Sequence, residues 1–178
     1  MTTQTVAAAE PPAGIPHGAR HLKSIEVDQI YSRLNGKCLD ADTGTINKNG
    51  TKIQVWDCNQ YMQQRWRLNW GQTSNYANVF SSRCLEVNPN LSDKKGNGAA
   101  LQLWDCNGAS WQDWWYVSGD NSLHNVYSGR CMDVDPARAN QNGTVIYLWD
   151  CNGATQQKWL YGLLPSAKSP KSKSSTAD

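Results

Sequence analysis

Gln54-Val55-Trp56-Asp57-Cys58, followed after a short gap by Gln64-Arg65-Trp66, is the stretch on which the reading of this chain turns. The same two words return as Gln102-Leu103-Trp104-Asp105-Cys106 with Gln112-Asp113-Trp114, and as Tyr147-Leu148-Trp149-Asp150-Cys151 with Gln157-Lys158-Trp159. Upstream in each copy an earlier cysteine opens an apolar-acidic pair: Cys38-Leu39-Asp40, Cys84-Leu85-Glu86 and Cys131-Met132-Asp133. The copies recur about every 46 residues, a period that marks one supersecondary unit unable to bury its apolar face alone. Three copies without capping repeats point to a closed threefold object rather than an open array.

Within each copy the pattern is strand and turn. Short alternating or β-branched runs cover residues 25–31, 37–40, 52–56 and 65–69, separated by Asn35-Gly36 and Asn49-Gly50. Asn97-Gly98 and Asn142-Gly143 stand where Asn49-Gly50 stands, so four strands per copy predict about twelve in an all-β domain. That domain spans residues 25–164, in repeats of about 25–70, 71–118 and 119–164. Residues 1–24 read as a flexible arm, broken by Pro11, Pro12, Gly14, Pro16 and Gly18, with His17 and His21 solvated. Residues 165–178, lysine, serine and proline with no core-forming residue, read as a disordered tail or a linker stub.

Composition narrows the function classes. Nine Trp and seven Tyr against a single Phe favour flat apolar faces with a polar handle, as binding surfaces use, with about half of the indoles expected in the core. Net charge is +2, and the tail's Lys168, Lys171 and Lys173 against Asp178 account for that excess, leaving no basic stripe to follow a phosphate backbone. No apolar run reaches the length of a membrane span.

Six cysteines fall two per copy, with no Cys-x-x-Cys and no histidine beside them in sequence, so neither metal nor cofactor is expected. Cys38–Cys58, Cys84–Cys106 and Cys131–Cys151 form the economical pairing. Each such loop contributes roughly 3 kcal/mol in the chain-entropy model. Disulfides imply an oxidising compartment and hence a secreted protein. Residues 1–10 lack a secretory signal pattern, though Ala7-Ala8-Ala9 before Glu10 fits the remnant of a cleavage site as well as it fits a linker. Nothing suggests an enzyme: His124 is the one histidine in the repeats, no serine sits in a nucleophile elbow, and no phosphate loop occurs. Threefold-related acids would stand too far apart for the carboxylate pair of a glycosidase.

On these motifs, Cys-Leu-Asp, then Asn-Gly, then Trp-Asp-Cys, then Gln-x-Trp, the chain resembles the ricin B-type lectin family over residues 25–164. The resemblance implies a β-trefoil, a six-stranded barrel capped by three hairpins, in which Trp66, Trp114 and Trp159 pack in the core. Gln64, Gln112 and Gln157 would then tie backbone together. It also implies glycans or polysaccharides as partners, for a free monomeric lectin or for a module joined to a catalytic or toxin component. The sugars expected are of galactose, xylose or arabinose type.

A hexose needs an aromatic plate for its C–H face and hydrogen-bonding groups for its hydroxyls. A carboxylate is the strongest acceptor, and amides both donate and accept. The resemblance makes Trp56, Trp104 and Trp149 the plates and Asp40, Glu86 and Asp133 the acids, with Asn59, Asn107 and Asn152 as polar contacts. Turn chemistry is the competing reading of the acids. Copy one carries the fullest set, Asp40, Gln54, Trp56, Asn59 and Gln63, and is expected to be the principal site, with Asp40 and Trp56 outside the core. Copy three carries Asp133, Trp149, Asn152 and Gln156, with Tyr147 in place of Gln54. Copy two is expected to be the weaker site, Glu86, Gln102, Trp104 and Asn107, because Trp111 replaces Gln63 and its indole fills the pocket. No copy has the asparagine that family sites carry before the Gln-x-Trp glutamine. That departure leaves open a trefoil that has lost sugar binding and serves protein interaction or inhibition.

Overall fold

The computed structural model describes residues 25–27, 29–69, 74–88 and 96–162. The N-terminal arm with His17 and His21, the C-terminal tail and Trp70 lie outside the described residues. Among the described residues thirteen strands form, against about twelve expected, because the run at residues 25–31 breaks into β1 (Ile25–Val27) and β2 (Ile30–Ser32). Copy one continues with β3 (Cys38–Ala41), β4 (Thr51–Trp56) and β5 (Trp66–Asn69). Copy two holds β6 (Asn75–Asn78), β7 (Cys84–Val87), β8 (Leu101–Trp104) and β9 (Trp114–Val117). Copy three holds β10 (Ser122–Asn125), β11 (Cys131–Val134), β12 (Thr144–Trp149) and β13 (Trp159–Tyr161). A short 3-10 turn precedes each Gln-x-Trp tryptophan, at Met62–Gln64, Ser110–Gln112 and Thr155–Gln157. No described helix is long and apolar enough to cross a membrane.

The three long hairpins β3–β4, β7–β8 and β11–β12 share one register, with Asp40 opposite Gln54, Glu86 opposite Gln102 and Asp133 opposite Tyr147. β4 then pairs with both β8 and β12, and Ala100 bridges to Tyr147, so the hairpins meet pairwise. Between copies, β5 pairs with β6, β9 with β10, and β13 returns to β2. This closed β-trefoil is the fold that the triplicated motif requires.

Its core explains why the Gln-x-Trp words recur. Trp66, Trp114 and Trp159 are fully buried among residues such as Ile53, Leu85, Leu103, Met132 and Leu148. A buried indole N–H needs an acceptor. Each donates to the carbonyl just before its copy's acid: Trp66 to Leu39 (3.1 Å), Trp114 to Leu85 (3.0 Å) and Trp159 to Met132 (3.0 Å). Among the eight described tryptophans these three are thus fully buried, fewer than half, while Trp56, Trp115 and Trp149 are exposed. The disulfides are Cys38–Cys58, Cys84–Cys106 and Cys131–Cys151, as the spacing predicts.

Candidate carbohydrate site

Residues directly opposite in an antiparallel pair share a face, as do residues two apart along a strand. The common hairpin register therefore sets the acid of β3, the amide of β4 and the tryptophan two residues further on together. In copy one these are Asp40, Gln54 and Trp56, and Cys38 lies opposite Trp56. The Cys38–Cys58 bond pins the hairpin at that end. Trp56 is 39% exposed and Trp149 41%, while Trp104 is half-buried.

The acids sit deeper than expected. Asp40 is only 3% exposed, so its placement outside the core is corrected. Asp40 Oδ1 accepts from Gln54 Nε2 (2.9 Å) and Oδ2 from Gln64 Nε2 (3.0 Å). Glu86 is fully buried and accepts from Gln102 and Gln112, each at 2.8 Å. In copy three Tyr147 replaces the first amide. Asp133 Oδ2 accepts from Gln157 Nε2 (2.7 Å), and among the described residues its Oδ1 accepts no hydrogen bond. Burial raises all three carboxyls above the ordinary carboxylate value, against the lowering effect of the amides. The turn role falls to the next acid in copies one and three, where Asp42 accepts from Gly44 N–H and Asp135 from Ala137 N–H.

The Gln-x-Trp glutamine is the hub of each copy. Gln64 donates to Asp57 O (3.0 Å) as well as to Asp40, and its Oε1 accepts from Asn59 N–H (2.8 Å). Gln112 and Gln157 repeat this with Asp105 O and Asn107 N–H, and with Asp150 O and Asn152 N–H. The side-chain oxygens of Asn59, Asn107 and Asn152 accept from Tyr61, Ala109 and Ala154 N–H. These asparagines therefore shape a local turn, which their sequence assignment as sugar contacts did not anticipate. Gln63 and Gln156 are half-buried on the 3-10 turns, Gln63 Nε2 lying 3.5 Å from Asn59 Oδ1. Trp111 packs against the core and edge-on to Tyr127 (6.1 Å, 88°).

A second constellation escaped the sequence reading. Asn142 Nδ2 donates to Asp57 Oδ2 (2.8 Å), and its Oδ1 accepts from Asp57 N–H (2.9 Å) and from Lys37 Nζ (2.7 Å). Asn49 holds Asp105 in the same way beside Arg83, and Asn97 holds Asp150 beside Arg130. Each Asn-Gly turn thus clamps the Trp-Asp-Cys aspartate of another copy. The signal was present in the sequence: a basic residue precedes the first cysteine of every copy, at Lys37, Arg83 and Arg130. The clamp carries the following glycine to the neighbouring site. A Cβ on Gly143 would lie 3.7 Å from both Gln54 Oε1 and the Trp56 ring, so copy three's turn walls copy one's site. A cleft of about 270 Å³ opens beside copy three, lined by Asp135, Arg138, Gln141, Thr144, Val145 and Tyr147 among others.

The folded chain also brings a histidine to a cysteine pair, which sequence spacing did not suggest. His124 Nδ1 lies 3.4 Å from Cys151 Sγ, but Cys131 and Cys151 are bonded to each other and offer no thiolate to a metal.

The profile of the ricin-type β-trefoil lectin domain matches residues 26–161. The chain belongs to that family. No curated protein sequence matches it. Among solved structures it resembles the designed threefold-symmetric protein ThreeFoil, at 23% identity and a TM-score of 0.68, over 76% of this chain and 97% of that one. An exo-β-1,3-galactanase from Clostridium thermocellum matches at 28% identity and a TM-score of 0.67 over 76% of this chain, which spans only 30% of the galactanase chain. The C-half of an earthworm R-type lectin, solved in complex with GalNAc, matches at 18% identity and a TM-score of 0.59, over 75% of this chain and 95% of that one. Membership in this lectin-domain family, with lectins among the structural neighbours, supports carbohydrate binding.

Proposed function

We propose that this protein is a secreted, non-enzymatic carbohydrate-binding module for galactose-, xylose- or arabinose-type sugars, weak at each site and strengthened by several sites on one glycan. The observation that carries the reading is the exposed indole placed by the hairpin register on the same face as a buried, amide-held acid. The resemblance to part of a galactanase supports a targeting role beside a catalytic unit. Copy three is the best-poised site. In copy one both oxygens of Asp40 are taken by Gln54 and Gln64, whereas Asp133 keeps Oδ1 for a sugar hydroxyl, with Trp149 on the same face and Tyr147 on the wall of the open cleft. Asp40, Gln54, Trp56 and Gln63 form a second site, and Glu86, Gln102 and Trp104 a weaker third.

Shallow sites of this kind hold a monosaccharide at about −4 to −6 kcal/mol, the millimolar to high micromolar range. Titration calorimetry with galactose, lactose, xylose and arabinose tests the reading. Binding is expected, with a loss of about tenfold or more in Trp149→Ala and a smaller one in Trp56→Ala. If none of these sugars binds, the carbohydrate reading is wrong and a trefoil scaffold for protein interaction takes its place.

A further inference from the structure

A single row of side chains crosses four strands beside copy three. Trp115 on β9 lies opposite His124 on β10, His124 opposite Cys131 on β11, and Cys131 opposite Trp149 on β12. Direct antiparallel partners point to the same side of a sheet, so all four residues stand on one face. Both end residues are large and open, with Trp115 38% and Trp149 41% exposed. Between them the His124 ring stacks on Trp115 at 5.0 Å and 18°, and the exposed Cys151 sulfur abuts His124. Ser122 Oγ, itself bonded to Asp120, lies 2.7 Å from His124 Nε2 and fixes the ring. Three strand spacings put the end residues' backbones about 14 Å apart.

The equivalent rows in the other copies differ. Copy two aligns Arg67, Ala77, Cys84 and Trp104, and copy one aligns Leu160, Tyr31, Cys38 and Trp56. Each has one tryptophan, at the site end. Copy three's row alone has an indole at both ends, on a strip whose members carry no formal charge when His124 is neutral. Burial favours that neutral form.

We propose that this row is an extended track for a linear, neutral oligosaccharide, with Trp149 under one sugar and Trp115 a second plate for a sugar further along the same chain. The inference rests on the carbohydrate reading of copy three and adds Trp115, with His124 as its positioning residue, to the binding surface. A rigid pair of plates suits a chain whose pyranose rings repeat at a fixed spacing, because little ordering remains to be done on binding. The separation of the two backbones exceeds one sugar ring and suits a short run of sugars, so chain length is the quantity that reports on the track.

The test is calorimetric titration with xylose and galactose oligomers from one to four units. Affinity is expected to rise about tenfold or more between monomer and tetramer. In Trp115→Ala the ratio of tetramer to monomer affinity collapses towards one. A second measurement guards against an unfolded variant: in the wild-type protein the indole N–H signal of Trp115 shifts with tetramer and not with monomer. Length-independent binding, or a ratio that survives in Trp115→Ala with an unperturbed Trp115 indole, overturns the track. Monosaccharide binding lost in Trp149→Ala would still stand in that case, so failure of the track is distinct from failure of the site. Absence of binding to every saccharide overturns both.

Discussion

Replacing Gln64 by alanine tests the role of the amide hub. The side chain is fully buried and serves three partners at 2.8–3.0 Å: Asp40 Oδ2, Asp57 O and Asn59 N–H. Alanine leaves all three without it. A buried acceptor left unmade costs about 1–3 kcal/mol, and the two part-buried backbone groups, which regain some water, add roughly 1 kcal/mol each. The expected total is about 3–5 kcal/mol, equivalent to a fall in Tm of roughly 8–15 °C for a domain of this size. Differential scanning calorimetry on the oxidised protein reads it, with Trp56→Ala as the exposed control expected to shift Tm by no more than a few degrees. A Gln64→Ala variant melting within a degree or two of wild type would refute the hub.

Asp40→Ala is expected to lower stability as well as binding, because it strands the amides of Gln54 and Gln64; thermal melts beside sugar titrations separate the two effects. Gly143 has φ +88°, so Gly143→Ala should cost about 1–2 kcal/mol through backbone strain, measured by urea denaturation. The raised carboxyl of Glu86 binds its proton more tightly folded than unfolded, so its contribution to stability is present below the unfolded value and lost as pH rises through the folded one. The Tm of wild type relative to Glu86→Gln should therefore fall as pH rises above the ordinary glutamate value, and a constant difference would count against the burial that causes the shift. Reduction of the three disulfides should cost about 3 kcal/mol for each loop, seen as a lower urea midpoint in reductant.

The fold was legible because its determinants are local words repeated in register. Gln-x-Trp tells of a buried indole with a tethered amide, and paired cysteines about 20 residues apart tell of a closed hairpin. The site was legible only in part. Sequence ranks copy one first because it counts polar side chains, yet one of those side chains, Gln54, joins the structural Gln64 in bonding to Asp40. In copy three Tyr147 stands where the other copies have an amide, so among the described residues one oxygen of the buried Asp133 accepts no hydrogen bond. Such satisfaction among neighbours depends on geometry, and residue type alone does not report it. The same limit hid the turn role of Asn59, Asn107 and Asn152. It hid the Trp115–His124 stack too, because cross-strand partners nine residues apart show no periodicity until the β9–β10 register is known.

The Asn-to-Asp clamps run from copy one to copy two, from two to three, and from three back to one. A stacked array grows or shrinks by a repeat and keeps its remaining interfaces. Here any deletion opens two clamps at once, and a fourth copy would have to break one before it could enter. The copy number is therefore set by closure, and the three hairpins should unfold as one cooperative unit. With β13 already paired to β2, no copy is structurally first, so a chain rejoined end to end and cut open between copies should recover the same domain.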